Sequence, residues 1–190
     1  MAARSKLGDG REPGTPPDAR LRVAVREDIP AIDALIRRSV RGLMASHLTD
    51  AQMAIALGTV LGVDPSLIDD GTYFVVEDGG RMVGAGGWSR RATLYGVPTE
   101  NPRTLDPARE NARIRAFFVD PDATKRGIAT LILDRAEHDA RAAGFQALEL
   151  MSTPTGVVLY ERRGFETIAD QPIELPDGSS MPGKVMRKKL

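Results

Sequence analysis

The stretch from Phe117 to Ala143 constrains the chain most. Phe117-Phe118-Val119 reads as the apolar end of a strand, and it stops at the turn Asp120-Pro121. A short loop, Thr124-Lys125-Arg126-Gly127, then feeds a segment with apolar or small residues at Ile128, Leu131, Ile132, Ala136, Ala140 and Ala143. That spacing marks one face of a helix. A strand that passes through a glycine turn into a helix N-terminus builds an anion site. The first amides of a helix have no intrahelical acceptor, and the helix dipole adds partial positive charge there. Lys125 and Arg126 add to that charge, and Gly127 lets a phosphate approach the backbone without a Cβ in the way. The chemistry indicated is recognition of a pyrophosphate. Many strand–loop–helix joints bind nothing, so the rest of the chain has to agree. Neither a P-loop pattern nor GxGxxG occurs, which argues against a P-loop NTPase and a Rossmann dinucleotide site.

A chain of 190 residues suits one compact domain with a sizeable core. Its 26 basic and 26 acidic residues cancel, so no global field draws it to nucleic acid or anionic lipid. The pairs Arg90-Arg91 and Arg162-Arg163 lack the interleaved aromatics of a nucleic-acid surface. The absence of cysteine removes disulfides, thiolate metal ligands and a Cys nucleophile together, and it fits a cytoplasmic setting. His47 and His138 are too few to build a zinc site, so no metal is expected; His138, within Glu137-His138-Asp139, reads as a solvated helix face. No apolar run approaches the roughly 20 residues that span a bilayer, so no membrane partner is expected. Residues 1–20 are rich in Gly, Pro and charge and lack the apolar core of a signal peptide. They read as a flexible arm ahead of a domain at 21–190.

Strands are predicted at Leu21–Val25, Tyr73–Glu77, Met82–Ser89, Ile114–Val119, Ala147–Met151, Phe165–Ala169 and Lys184–Leu190. Asp28 is placed to cap a helix with Pro30 in its first turn, continuing through Leu43. Thr49 and Gln52 form a capping-box pattern for a second helix through about Leu61, closed by Gly62. Further helices are predicted within Thr124–Ala143, closed by Gly144, and at Thr153–Arg163, closed by Gly164. Asp78-Gly79-Gly80-Arg81 signals a hairpin, and Pro176-Asp177-Gly178 a turn between the last strands. Gly84, Gly86 and Gly87 are unusual inside a strand and suggest a bulge or the close approach of another backbone. The order β-α-α-β-β-β-α-β-α-β-β predicts an α/β (α+β) single domain. Its centre is a mixed, mostly antiparallel twisted sheet of about six to seven strands, with helices on both faces.

That order, with the loop at 119–129 and the segment Leu159-Tyr160-Glu161-Arg162-Arg163-Gly164-Phe165, resembles the GNAT superfamily of acyl-CoA N-acyltransferases. The resemblance covers Leu21 to Leu190. In that family the loop begins with Arg or Gln and ends with Gly, any residue, then Gly or Ala. Here Thr124-Lys125-Arg126-Gly127-Ile128-Ala129 keeps the Gly and the final Ala but starts with Thr124. The resemblance implies that Thr124 to Thr130 hold the pyrophosphate of acetyl-CoA. It also implies that the backbone at Phe117, Phe118 and Val119 pairs with the pantetheine arm as with an added strand. Thr153 stands where relatives usually carry Asn, and a hydroxyl offers fewer hydrogen bonds than an amide. Tyr160 matches the family tyrosine that protonates the departing thiolate. Glu149 and Glu77 are candidates for the general base, beside a relay of ordered water.

The reaction so implied is transfer of an acetyl group from acetyl-CoA, the co-substrate, to a primary amine of a small molecule or peptide. The amine attacks directly in a ternary complex, so no protein nucleophile is needed, in keeping with the missing Cys. The alternative from another class is a non-catalytic acyl-CoA-binding or regulatory module on the same scaffold. Retention of Tyr160 favours catalysis. A homodimer is an expectation from general frequency alone.

Overall fold

Strand β2 (Tyr73–Asp78) sends successive side chains to opposite faces, and the two halves of the core follow that alternation. Tyr73 and Val75 pack with Ile32, Leu35, Ile36 and Val40 of helix α1 (Ile29–Leu43). Phe74 and Val76 pack with Ile128, Ile132, Leu133 and Ala136 of helix α4 (Ile128–Ala142). Helices therefore cover both faces, as predicted.

The computed structural model describes residues 19–98 and 100–190. Of the predicted arm, residues 1–18 lie outside the described residues, and Arg20 already opens strand β1 (Arg20–Val23). The remaining helices are α2 (Asp50–Ala56), α3 (Pro65–Asp69) and α5 (Val157–Arg162). The remaining strands are β3 (Arg81–Ser89), β4 (Ala112–Val119), β5 (Ala147–Ser152), β6 (Glu166–Asp170), β7 (Ile173–Glu174), β8 (Ser180–Met181) and β9 (Lys184–Lys189). Seven strands form one sheet in the order β1-β2-β3-β4-β5-β9-β6, and β7 and β8 pair separately. Every neighbouring pair is antiparallel except β4 and β5. That is the mixed, mostly antiparallel sheet anticipated.

Three local expectations change. The Asp28 carboxylate does not cap α1; it receives hydrogen bonds from Arg22 Nη1 and Nη2 and from the Val25 amide, closing a 3-10 turn ahead of the helix. The Thr49–Gln52 capping box does form, with Gln52 N donating to Thr49 Oγ1 at 3.2 Å. Its helix, however, ends at Ala56, where Leu57 turns extended and Gly58 takes a φ of 83°. A separate helix, α3, follows with Pro65 in its first turn, and Asp64 caps it by accepting from the Ser66 amide at 3.0 Å. The helix predicted from Thr153 begins at Val157, after a turn in which the Gly156 amide donates to Thr153 O.

Candidate active site

The glycines of β3 bring backbone close to backbone. A Cβ on Gly87 would lie 2.1 Å from Thr72 O, and one on Gly84 would lie 2.3 Å from Ile128 Cγ2 of α4. The bulge suggested by these glycines is present. Ala85 faces Phe118 and Gly87 faces Arg115, so Ala116 and Phe117 together oppose the single residue Gly86. Ala116 adopts a φ of 54°, unfavourable for a residue with a Cβ, and its carbonyl accepts from the buried Tyr73 hydroxyl at 2.8 Å. The Phe117 ring lies over Gly86, where a Cβ would come within 2.6 Å of it.

Strand β4 leaves β5 ahead of the bulge. The two strands pair only at Ala112–Leu148 and Arg113–Glu149. From there on, no strand among the described residues pairs with the β5-facing edge of Phe117, Phe118 and Val119. A cavity of about 750 Å³ occupies the divergence, lined by these three residues and by Tyr160, Thr153 and the start of α4.

At that start the chain turns through two left-handed residues, Lys125 (φ 60°) and Gly127 (φ 73°). The first i to i−4 bond runs from Leu131 N to Gly127 O, so the amides of Ile128, Ala129 and Thr130 precede the helical ladder. Thr124, Lys125, Gly127, Ile128, Ala129 and Thr130 all line the cavity. The Thr124 hydroxyl donates to Pro121 O at 3.1 Å and keeps its own oxygen as an acceptor. Lys125 is exposed and has no carboxylate partner among the described residues. Arg126 departs from the group. It does not line the cavity, and its guanidinium pairs with Asp78 at 3.0 Å on the β2–β3 hairpin.

Tyr160, on α5, is buried between Phe117 and Phe165, both in edge-on contact with ring centroids 6.3 Å and 5.5 Å away. Burial raises its pKa, so the hydroxyl stays protonated and able to donate. No hydrogen-bond partner holds that hydroxyl among the described residues. Thr153 opens the preceding turn, with its Oγ1 3.0 Å from that of Thr155.

Neither candidate base reaches the cavity. Glu149 accepts from Asn111, Arg113 and Arg187; burial opposes its charge, but the arginines and the amide outweigh it and hold its pKa below the usual carboxylate range. Glu77 pairs with Arg22 on the far side of the β2–β3 hairpin. A residue that sequence reasoning missed is Arg115, buried and lining the cavity beside the bulge. Its guanidinium donates to Asp64 at 3.1 Å, to Gly96 O at 2.6 Å and to Thr93 O at 3.0 Å. An arginine inside the apolar strand Ile114–Val119 was the available signal, because a buried guanidinium requires a partner. Among the described residues no group of three His, Cys, Asp or Glu could hold a metal, and no helix is long and apolar enough to cross a membrane.

A splayed strand pair, a bulge at the split and an amide-lined helix start facing the same cavity define the acyl-CoA N-acyltransferase architecture. Residues 50–165 match the Acetyltransferase (GNAT) family, and the chain belongs to that family and is an acyltransferase. Solved structures share its fold. A GCN5-related N-acetyltransferase from Rhodopseudomonas palustris superposes with a TM-score of 0.67 at 19% identity, covering 90% of this chain and 95% of that one. The PaiA N-acetyltransferase from Thermoplasma acidophilum, in complex with coenzyme A, gives 0.63 at 14% identity over 90% and 99%. A ribosomal-protein-alanine N-acetyltransferase from Brucella melitensis gives 0.60 at 19% identity over 90% and 99%. A search of curated protein sequences found no significant match.

Proposed function

We propose that this enzyme transfers the acetyl group of acetyl-CoA to a primary amine of a small molecule or peptide, by direct attack in a ternary complex. Acetyl-CoA supplies an activated thioester. The amides of Ile128, Ala129 and Thr130, with Lys125, hold its pyrophosphate, and the open edge of Phe117–Val119 hydrogen-bonds its pantetheine amides. Gly127 keeps the backbone bare where the phosphate approaches. Tyr160 donates its hydroxyl proton to the departing sulfur as the carbon–sulfur bond breaks.

The observation that carries this reading is the position of Tyr160, held between Phe117 and Phe165 on the wall of the cavity at the β4–β5 divergence. Replacing Tyr160 with Phe keeps the ring between Phe117 and Phe165 and removes only the donor. Acetyl-CoA should bind this variant nearly as well as the wild type, while kcat falls about 10²- to 10⁴-fold. An unchanged kcat with chemistry rate-limiting would make Tyr160 a packing residue and leave the acid to water.

A further inference from the structure

The cavity does not stay on one face of the sheet. Near α4 and α5 its walls belong to the core half built on Phe74 and Val76; past the bulge they belong to the half built on Tyr73 and Val75. This second end is walled by Leu43, Met44, Val60, Leu61, Tyr95 and Ile173. Its polar side chains are the hydroxyls of Ser39 and Tyr95 and the guanidinium of Arg115. Among the described residues that line the cavity, none is Asp, Glu or His. The nearest acid in bonding terms is Asp64, which is buried and committed to Arg115 and to the cap of α3. Arg115 is in turn committed to Asp64 and two carbonyls, so it offers little to an anionic substrate. Lys125, Arg162 and Arg163 line the cavity too, but from the α4 loop and α5, on the other face of the sheet.

From this lining we infer that the acceptor is a primary amine on an uncharged apolar body, alkyl or aryl, taken up as its neutral free base. The inference rests on the acetyl-transfer reading and deepens it. A second ammonium on the acceptor would be buried against apolar walls with no carboxylate to pair with, which is costly. The same walls disfavour protonation of the reacting nitrogen, so the free base is the form retained. No carboxylate is then needed as a base in the cavity. The nitrogen lone pair forms the new carbon–nitrogen bond, and the carbon–sulfur bond breaks with its electron pair going to sulfur. Tyr160 gives its proton to sulfur, and the proton lost by nitrogen returns through water to the Tyr160 oxygen. The balance is amine and thioester in, amide and thiol out.

The test compares hexylamine with 1,6-diaminohexane, which share a carbon chain and differ by one distal ammonium. Acetyl-CoA binding is measured separately by thermal shift. The expected result is a kcat/KM on the order of 100-fold higher for hexylamine, the cost of burying an unpaired charge. With hexylamine and a less basic β-fluorinated analogue, kcat/KM should climb about tenfold per pH unit up to each amine's own pKa. Val60→Asp, which puts a carboxylate on a half-buried wall position, should shift preference toward the diamine while acetyl-CoA still raises the melting temperature. Equal or better use of the diamine overturns the inference. So does a pH limb fixed at one value for both amines, an unchanged preference in Val60→Asp, or no turnover of hexylamine by protein that binds acetyl-CoA. Failure of acetyl-CoA to bind at all overturns the acetyl-transfer reading instead.

Discussion

The Tyr73 hydroxyl donates a hydrogen bond to the Ala116 carbonyl, 2.8 Å away, although β2 and β4 are not neighbours in the sheet. Strand β3 lies between them, and Gly87, paired with Tyr73 on the same face, puts no side chain in the way of that crossing. The bond falls on the residue whose φ of 54° makes the bulge, so it fastens the bulge just past the point at which β4 and β5 part. Tyr73→Phe should cost about 0.5–1.5 kcal/mol, since the half-buried Ala116 carbonyl loses its donor while the ring remains. Urea denaturation measures this directly, and weaker acetyl-CoA binding by the folded variant would tie the loss to the bulge.

Gly127→Val should leave a folded protein that no longer gains stability from acetyl-CoA. At φ 73° a β-branched residue is strained by about 1–2 kcal/mol, and its methyl groups crowd the approach to the α4 amides. The wild type should gain about 2.7 kcal/mol at 100 times the dissociation constant, and desulfo-CoA should act similarly because pyrophosphate and pantetheine are the anchors. Thermal melts with and without each ligand read the difference.

Gly87→Ala should destabilise by about 1–3 kcal/mol or somewhat more, because the new methyl would meet backbone and not a side chain that can swing away. The Thr72 carbonyl, 2.1 Å from that Cβ, can yield only if β2 shifts. Gly79→Ala is the control for strain without crowding. Its φ of 58° is left-handed but nothing lies within 4 Å, so it should cost less.

Acid should loosen the turn that follows β4. Burial of the Asp120 carboxylate opposes its charge. The Asp122 amide and the guanidinium groups of Arg38 and Arg81 nevertheless bring its pKa below the ordinary value. A pKa lower in the folded than in the unfolded chain adds stability above the unfolded value, about 3.9 for Asp, and that stability is lost as pH falls through the folded value. Asp120→Asn should be less stable than wild type at pH 7 and should lose less on acidification below about pH 4. Parallel curves from chemical denaturation at several pH values would exclude Asp120 as a contributor.

The elements that sequence exposed best were those with a periodic face or a local signal. The Ile32–Val40 stripe, the Thr49–Gln52 box and the Gly127 loop each declare themselves within a few residues. What stayed hidden depends on distant partners. Alanine carries no signature of the left-handed conformation, so the bulge could be inferred from the glycines of β3 but not placed at Ala116. Arg126 reads in sequence as part of the anion site, and only the fold brings Asp78, 48 residues away in sequence, beside it. Glu149 and Glu77 looked available as bases because nothing local shows that Arg113, Arg187 and Arg22 occupy them. The short α3 was absorbed into its predecessor since only its Pro65 and Asp64 announce it.

The two-pair contact between β4 and β5 divides the seven-stranded sheet into ribbons of four and three strands. At that seam few backbone hydrogen bonds join the ribbons, and the side-chain core that holds Leu148 and Leu150 against Phe74 and Ile132 does the rest. A co-substrate lying along the open edge would then bridge them, taking the place of a missing strand. In mechanical terms the reactant would be a brace of its own enzyme. Loading should slow amide exchange at Phe118 and Val119 together with their neighbours on β5, and release of the product thiol should restore the faster exchange.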